Sequence, residues 1–353
     1  MAVDVVIYGA TGFVGGIAAR EAVAQGLRPL IAGRNEAKLA GLAAELGVAY
    51  RAFELEDGAA LDGALAEAPV VLHCAGPYQG TFAPMVAACL RTGTHYLDLT
   101  GELPVLEAIA ARDAEARARG VVLLPGAGFD VAPTDCLAVH LKERLPAARE
   151  LTLAFHTQGP AGLPPGTQRT AIALIPYGDR VRRDGRLVTP ERAVETRVVD
   201  FGEGPVEAMR LLWGDLFTAY HSTGIPNITT YAVLSPAVRR QVVLTARLRR
   251  LFSLGAVRKL LERTITPGPD AEARAQSRTD VWGEVVDGEG RRAVARLHGP
   301  EAGVDWTVAC ALGAVRRVLA GEAPPGYQTP ATAFGAGFVL ETEGVRREDV
   351  GDF

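Results

Sequence analysis

The chain opens with a largely apolar run that leads directly into closely spaced glycines. Residues 3–8 read VDVVIY, and residues 9–15 read GATGFVG. A strand that passes into a helix within a few residues needs glycine where the chain turns tightly and where a ligand approaches the backbone. The N-terminus of that helix offers free backbone N–H groups to a phosphate. We therefore predict a dinucleotide-binding turn. Its predicted ligand contacts are Gly9, Thr11, Gly12, Phe13, Val14 and Gly15.

Apolar runs alternate with alanine-rich segments of helical spacing over the first 130 residues. The apolar runs are 3–8, 29–32, 50–55, 70–74, 96–99 and 121–124, and helical segments include 12–25, 36–46 and 106–118. Strands that alternate with helices form a parallel, doubly wound sheet. We predict an α/β fold in which residues 1–132 form a Rossmann-type domain with six strands.

The alternation of apolar runs with helical segments ends after residue 145. Residues 150–156 predict a strand, and 278–299 alternate about a DGEG turn, which is typical of a hairpin. We expect a second, α+β domain over 133–328, with a largely antiparallel sheet, that serves substrate binding or oligomerisation. Residues 329–353 begin with many small side chains, and there we predict a helix that packs back onto the first domain.

The end of the second predicted strand favours NADP over NAD. An NAD site carries Asp or Glu about 20 residues after the glycines, where it binds the ribose 2′-hydroxyl. Here Gly33, Arg34 and Asn35 occupy that place, with no carboxylate before Glu36. A guanidinium binds a 2′-phosphate through charge-assisted hydrogen bonds, so we expect NADPH beside Arg34 and Asn35. In the alternative interpretation, Arg34 is a solvated loop residue and Asn35 caps the next helix.

The familiar catalytic motifs are absent from the sequence. A short-chain dehydrogenase requires tyrosine four residues before a lysine, and none of the lysines, at positions 38, 142 and 259, has one. The four cysteines form no C-x-x-C pair, which suits a reducing compartment, and the six histidines lack paired ligand spacing. We therefore predict no metal site.

Three loops at the carboxyl ends of predicted strands remain, at 73–82, 96–102 and 125–135. Ligands bind at these ends of an open α/β sheet. We expect the loops to line the cofactor and to supply a proton donor. The expected cofactor contacts are Ala75, Gly76, Pro77, Thr100 and Gly101, and the expected proton donors are Tyr78, Asp130 and Glu102.

Each loop residue also has a structural interpretation. Tyr78 is then a half-buried anchor. Asp98 and Thr100 close their own turn, and Asp130 caps the helix that begins near Pro133. The sequence does not decide between these interpretations.

The motifs together resemble those of the saccharopine dehydrogenase-like oxidoreductases, and in particular a bacterial branch that includes trans-acting enoyl reductases. The resemblance rests on GATGFVG, AGR at 32–34, AGPY at 75–78, YLDLTGE at 96–102 and GFDVAPTD at 128–135, with similar motifs at 182–188, 224–231 and 329–335. It implies a Rossmann domain, a second domain that contains a sheet, and a C-terminal helix that rejoins the first domain. It also implies NAD(P) at residues 9–15, at Arg34 and at 75–78.

The favoured hypothesis is an NAD(P)H-dependent oxidoreductase that reduces a C=C or C=N bond of a small or acyl-type substrate, in the manner of an enoyl reductase. Two alternatives stay open. One is saccharopine dehydrogenase proper, acting on an amino-acid adduct. The other is a non-catalytic NADP-binding sensor or scaffold protein.

Composition narrows the set of partners. A formal net charge of −4 argues against nucleic-acid binding through phosphate neutralisation. No run of about 18 uncharged apolar residues suggests a membrane span, and no signal peptide is evident, so a cytoplasmic protein is expected. Residues 232–266 form a basic amphipathic stretch that fits a membrane surface, an apolar ligand or an ordinary solvated helix. The sequence is also compatible with a homodimer.

Overall fold

The computed structural model describes residues 2–192, 194–248 and 255–351. These residues divide into two compact units. The first contains residues up to 132 together with 304–334, and the second contains 133–303 together with 335–351.

The first unit is built on a seven-stranded parallel sheet in the order β15-β6-β5-β4-β1-β2-β3. The strands are β1 (Val5–Tyr8), β2 (Pro29–Gly33), β3 (Tyr50–Ala52), β4 (Val70–His73), β5 (His95–Asp98), β6 (Val122–Leu124) and β15 (Gly326–Tyr327). The central strands are fully buried, because a parallel sheet is covered by helices on both faces. The predicted Rossmann-type sheet and its six strands are confirmed.

Strand β15 is a seventh strand that the sequence analysis missed. It is two residues long and carries no apolar run, and it lies beside β6 at the edge of the sheet. The backbone N–H of Tyr327 donates to the carboxylate of Asp113 at 2.8 Å, which helps to fix this late segment to the first unit. Such a long-range pairing leaves no periodic signal in the sequence.

Eight helices flank this sheet within the described residues. They are α1 (Phe13–Ala24), α2 (Glu36–Leu46), α3 (Gly58–Leu65), α4 (Phe82–Thr92), α5 (Leu103–Ala110), α6 (Asp113–Arg119), α13 (Thr307–Leu319) and α14 (Pro330–Phe334). The single helix predicted over 106–118 is wrong, because two helices occupy this stretch. Helix α6 starts anew at Asp113, and acidic residues at 113 and 115 favour a helix N-terminus there.

Helix α13 belongs to the first unit, whereas the predicted boundaries placed residues 133–328 in the second domain. The helix packs against α1, β4 and β5 of the first unit. Val308, Leu312 and Val315 lie buried on one face, while the arginines at 316 and 317 follow on the other. This amphipathic pattern covers one face of the parallel sheet.

The second unit contains a nine-stranded sheet in the order β10-β11-β12-β7-β13-β14-β16, with β8 joined to β12 and β9. Its strands are β7 (Ala148–Gln158), β8 (Val181–Arg183), β9 (Arg186–Val188), β10 (Thr196–Asp200), β11 (Pro205–Arg210), β12 (Asn227–Ala232), β13 (Arg278–Asp287), β14 (Arg292–Pro300) and β16 (Arg346–Val350). Every pair is antiparallel except β12 with β7. The predicted largely antiparallel sheet and the 278–299 hairpin are confirmed.

The helices of the second unit are α7 (Ala132–Arg144), α8 (Pro165–Leu174), α9 (Asp215–Thr223), α10 (Pro236–Leu248), α11 (Gly255–Glu262) and α12 (Ala271–Ala275). Helices α10 and α11 lie within the stretch 232–266, which was predicted to be helical, and residues 249–254, with Arg249 and Arg250, lie outside the described residues. An apolar core on the sheet includes Val199, Phe201, Tyr231 and Trp282.

The predicted C-terminal helix over 329–353 is wrong. Helix α14 ends at Phe334, a short 3-10 turn spans Phe338–Glu341, and β16 then pairs with β14 in the second unit. Gly335 has a φ of +84° and Gly344 a φ of +78°, in the left-handed region that ends helices. The chain therefore returns to the first unit over 304–334, and residues 335–351 belong to the second unit.

Within the described ranges, we find no helix that is long and apolar enough to cross a bilayer.

The approach of α1 to β1 gives a direct test of the fold. A Cβ at Gly15 would lie 2.3 Å from the carbonyl oxygen of Gly9, whereas one at Gly41 in α2 would meet nothing within 4 Å. Gly15→Ala is expected to lower the free energy of unfolding by about 1–3 kcal/mol through overpacking. Gly41→Ala is expected to raise it by up to about 1 kcal/mol. Urea denaturation measures both, and equal effects of the two substitutions would contradict this packing.

Candidate active site

The glycine turn lies where β1 ends and α1 begins. Gly9 has a φ of +88°, and its N–H donates to the carbonyl of Ala32 at 2.8 Å. A Cβ at Gly9 would lie 2.9 Å from the backbone nitrogen of Ala75, so this position excludes a side chain. Gly12 is exposed, and its N–H donates to the carbonyl of Gly9 at 2.9 Å. The turn is therefore tight, and it is open on the side of Gly12.

The N-terminus of α1 lacks the usual side-chain cap from its own N-cap residue. Gly12 is the N-cap residue without a capping side chain, and the first turn holds no acidic residue. The first N–H groups of a helix have no partner within the helix, and Phe13 and Val14 at this end of α1 are partly exposed. This arrangement fits a pyrophosphate.

The carboxyl end of β2 carries the predicted 2′-phosphate residues. Arg34 is exposed, and among the residues that the structure describes no carboxylate forms an ion pair with it. The side chain of Asn35 accepts a hydrogen bond from the N–H of Lys38 at 2.9 Å and caps α2. The capping interpretation thus applies to Asn35, whereas the Arg34 guanidinium remains available to an anion. The residues present fit an NADP dinucleotide.

The loop after β4 is fixed by hydrogen bonds to its backbone. Ala75 lies against Gly9, and the hydroxyl of Thr81 donates to the carbonyl of Ala75 at 2.7 Å. The peptide bond between Gly76 and Pro77 is cis, and Gly76 is exposed. Of the predicted contacts Ala75, Gly76 and Pro77, the first lies beside the glycine turn, and the other two follow it in the same loop.

Glu102 holds the far end of this loop. Its carboxylate is fully buried and accepts the N–H of Tyr78 at 2.8 Å and the N–H of Gln79 at 3.1 Å. Its own N–H donates to the hydroxyl of Thr100 at 3.1 Å, and Thr100 is fully buried too. These contacts make Glu102 and Thr100 supports of the loop backbone.

Tyr78 is a buried anchor. Its side chain is 7% exposed, and its hydroxyl donates to the carbonyl of His73 at 3.2 Å. The ring stands edge-on to the ring of His73, with centroids 5.5 Å apart. Burial raises the pKa of Tyr78 well above its usual value. The geometry therefore matches the anchor interpretation of this residue.

Asp98 closes the turn after β5. Its carboxylate accepts the hydroxyl of Tyr96 at 2.5 Å and the N–H groups of Thr100 at 2.9 Å and Gly126 at 2.8 Å. The side chain is fully buried, and this burial raises the pKa of Asp98 to about 7. One carboxylate thus connects the loops that follow β5 and β6, as the turn-closing interpretation expected.

Asp130 differs from the other two carboxylates because it is partly exposed. It lies next to Gly101, where a Cβ would come within 2.9 Å of the Asp130 Cβ. Desolvation by the surrounding protein, followed by the charge of Glu102, raises the pKa of Asp130 to about 7. A carboxyl group with such a pKa can give or take a proton near neutrality.

Two residues of this region were not singled out in the sequence. The Thr81 hydroxyl already donates to Ala75, so the Nε2–H of His73 donates to Thr81 over 3.1 Å. Burial lowers the pKa of His73 to about 3, so the ring stays neutral. Thr307 begins α13, and its hydroxyl accepts the N–H of Phe129 at 3.2 Å. Neither contact follows a local spacing that a sequence motif could have shown.

Within the described ranges, no group of three or more His, Cys, Asp or Glu side chains is placed to hold an ion.

Comparison with known families identifies the first unit. The model of the saccharopine dehydrogenase NADP binding domain matches residues 5–124, which run from β1 to β6. The match includes the glycine turn, Arg34, and the loops that carry Ala75 and Glu102.

Curated proteins with similar sequences include trans-acting enoyl reductases and saccharopine dehydrogenase-like oxidoreductases. The trans-acting enoyl reductase of Mycobacterium leprae is 37% identical over 150 residues, a match that covers 40% of this chain and 36% of that protein. The saccharopine dehydrogenase-like oxidoreductase of Mus musculus is 31% identical over 201 residues, which covers 50% of this chain and 46% of that protein. The matches thus span less than half the length of these relatives.

Among solved structures, the apo saccharopine dehydrogenase (L-Glu forming) of Saccharomyces cerevisiae has a similar fold. The superposition has a TM-score of 0.67 and covers 99% of this chain and all of that chain, at 13% sequence identity. An identity this low establishes the fold alone. The first unit thus matches the saccharopine dehydrogenase NADP binding domain over residues 5–124, in agreement with the resemblance of its motifs, and the chain shares the fold of a solved saccharopine dehydrogenase.

Proposed function

We propose that this protein is an NADPH-dependent oxidoreductase that reduces a C=C or C=N bond of a small or acyl-type substrate, with bound NADPH supplying the hydride. The observation that carries the proposal is the pairing of an uncapped α1 N-terminus with the exposed guanidinium of Arg34. The names of the relatives, an enoyl reductase and an oxidoreductase, support the same class of reaction.

The chain's own residues bind and orient the cofactor. The N–H groups of Phe13, Val14 and Gly15 bind the pyrophosphate, and Arg34 binds the 2′-phosphate. Ala75 lies beside the glycine turn, and the loop that it forms with Gly76 and Pro77 lines the cofactor. Glu102 keeps that loop in place through its two backbone hydrogen bonds.

The role of Arg34 has a matched control in Lys38, which is also exposed and lies one helical turn further on. Arg34→Gln is expected to weaken NADPH binding by about 10- to 100-fold, since charge-assisted hydrogen bonds contribute about 1.5–3 kcal/mol. NADH binding should be unaffected, because NADH lacks the phosphate. Lys38→Gln should change neither affinity. Titration calorimetry measures all four constants, and an unaltered NADPH affinity in Arg34→Gln would refute the assignment.

Asp130 is the proton donor that we favour among Tyr78, Asp130 and Glu102. The Tyr78 hydroxyl donates to His73, and the Glu102 carboxylate accepts two backbone N–H groups. Asp130 is partly exposed and has a pKa of about 7. We therefore assign proton donation to Asp130 and positioning of the loop to Tyr78 and Glu102.

This assignment predicts a pH dependence. A carboxylic acid with a pKa of about 7 holds its proton below that pH and loses it above, so the reduction rate should fall as pH rises through about 7. Asp130→Asn should lower kcat at least about 100-fold, remove this pH dependence and leave NADPH binding intact. Tyr78→Phe should retain the profile. A wild-type pH profile in Asp130→Asn, measured by NADPH oxidation, would exclude Asp130.

The substrate assay also separates the alternatives. Stoichiometric NADPH oxidation with a 2-enoyl thioester or an imine supports the proposal. Turnover of saccharopine would instead make the protein a saccharopine dehydrogenase proper. Tight NADPH binding without oxidation by any acceptor in a broad panel would indicate a sensor or scaffold protein.

A further inference from the structure

The second unit carries one strongly basic segment, residues 236–266. It contains eight basic residues and a single acidic one, Glu262, which gives a formal charge of +7. The whole chain has a formal charge of −4, so the remaining residues together carry −11. The protein is thus an acidic molecule with one basic segment. The positive charge of this segment attracts negatively charged surfaces.

The basic segment also exposes apolar side chains. Val238 is 41% exposed, Leu244 58% and Leu260 62%, which makes them three of the large hydrophobic residues that the described chain leaves in solvent. On α10, Arg240 and Leu244 are four residues apart and therefore lie on the same helix face. Together with Pro236, Arg239 and Val243, they line an open groove of about 500 Å³.

Contacts connect the two described parts of the basic segment, 236–248 and 255–266, to the rest of the second unit. Arg239 forms an ion pair with Glu207 at 2.5 Å. At the other end, the N–H of Thr266 donates to the side chain of Gln168 in α8 at 3.0 Å, and α8 packs against α11. Arg240 and Lys259 are exposed, and neither forms an ion pair with a carboxylate in the described part of the chain. These cations and the exposed leucines are thus available to a partner.

We propose that the described helices of the basic segment, α10 and α11, bind the surface of an anionic lipid bilayer. Apolar side chains beside cations suit the boundary between headgroups and acyl chains, where the leucines enter the apolar layer and the cations contact lipid phosphates. A second copy of the chain placed symmetrically on this face would oppose two segments of +7, and like charges repel. The inference does not depend on the proposed function, because it uses no residue of the nucleotide site.

Co-sedimentation of the full-length protein with vesicles tests the proposal. One set of vesicles contains phosphatidylcholine alone, and the other contains phosphatidylcholine with phosphatidylglycerol. We expect binding to the anionic vesicles, weak binding to the neutral ones, and release as salt is added. Absence of binding to the anionic vesicles, or equal binding to both sets, would overturn the proposal.

Variants with matched controls locate the surface. Arg240→Gln with Lys259→Gln should weaken binding about thirtyfold, at about 1 kcal/mol for each cation near the bilayer. Arg186→Gln with Arg346→Gln removes the same charge from exposed positions outside the segment and should leave binding unchanged. Equal loss in both pairs would refute this surface and indicate a general charge effect.

The apolar contribution is tested in the same way. Leu244→Ser should weaken vesicle binding, whereas Val198→Ser, at a position 65% exposed on β10, should not. Both variants should keep the wild-type Tm, since neither side chain is buried. If the basic segment instead mediates self-association, analytical ultracentrifugation will show oligomers that the Arg240/Lys259 variant loses, without vesicle binding, and the proposal fails.

Discussion

The nucleotide site depends on the contact between two backbones at the start of the chain. Helix α1 reaches β1 so closely that a Cβ at Gly15 would lie 2.3 Å from the carbonyl oxygen of Gly9. The loop after β4 approaches Gly9 from the other side, with the nitrogen of Ala75 2.9 Å from the place of a Gly9 Cβ. Because both approaches exclude side chains, the helix N-terminus, the turn and the neighbouring loop form one surface for an anionic ligand.

Buried carboxylates keep the other loops at this edge of the sheet in position. Asp98 binds backbone N–H groups of the loops after β5 and β6, and Glu102 binds those of the loop after β4. Such fully bonded carboxylates organise backbone. Asp130, which is partly exposed, is the one that we assign to chemistry. The contrast in exposure and bonding separates positioning from proton transfer within one set of loops.

Much of the first unit and of its nucleotide site can be predicted from the sequence, because the features that define them lie within short stretches of the chain. The glycine turn, the six strands and Arg34 are read from short patterns, since each apolar run and turn acts over a few residues. The sequence also left two interpretations for Tyr78, Asp98 and Asn35, and the hydrogen bonds of each residue favour the structural one. Side-chain partners 20 or more residues away, such as Glu102 for Tyr78, leave no such pattern.

The return of the chain after residue 303 escaped the sequence analysis for a related physical reason. Helix α13 and strand β15 are completed by packing against elements of the first unit, and β16 pairs with a strand of the second. Two-residue strands and glycine-interrupted turns have weak local preferences, so tertiary contacts decide their state.

We propose that Arg34 and the N-terminus of α1 make this a site for NADPH rather than NADH. The most direct measurement compares the affinities of the wild-type protein for NADPH and NADH at several salt concentrations. The proposed contact of Arg34 with the 2′-phosphate predicts that NADPH binds more tightly and that its advantage decreases as salt screens the exposed guanidinium. Equal affinities, or a preference for NADH, would contradict it.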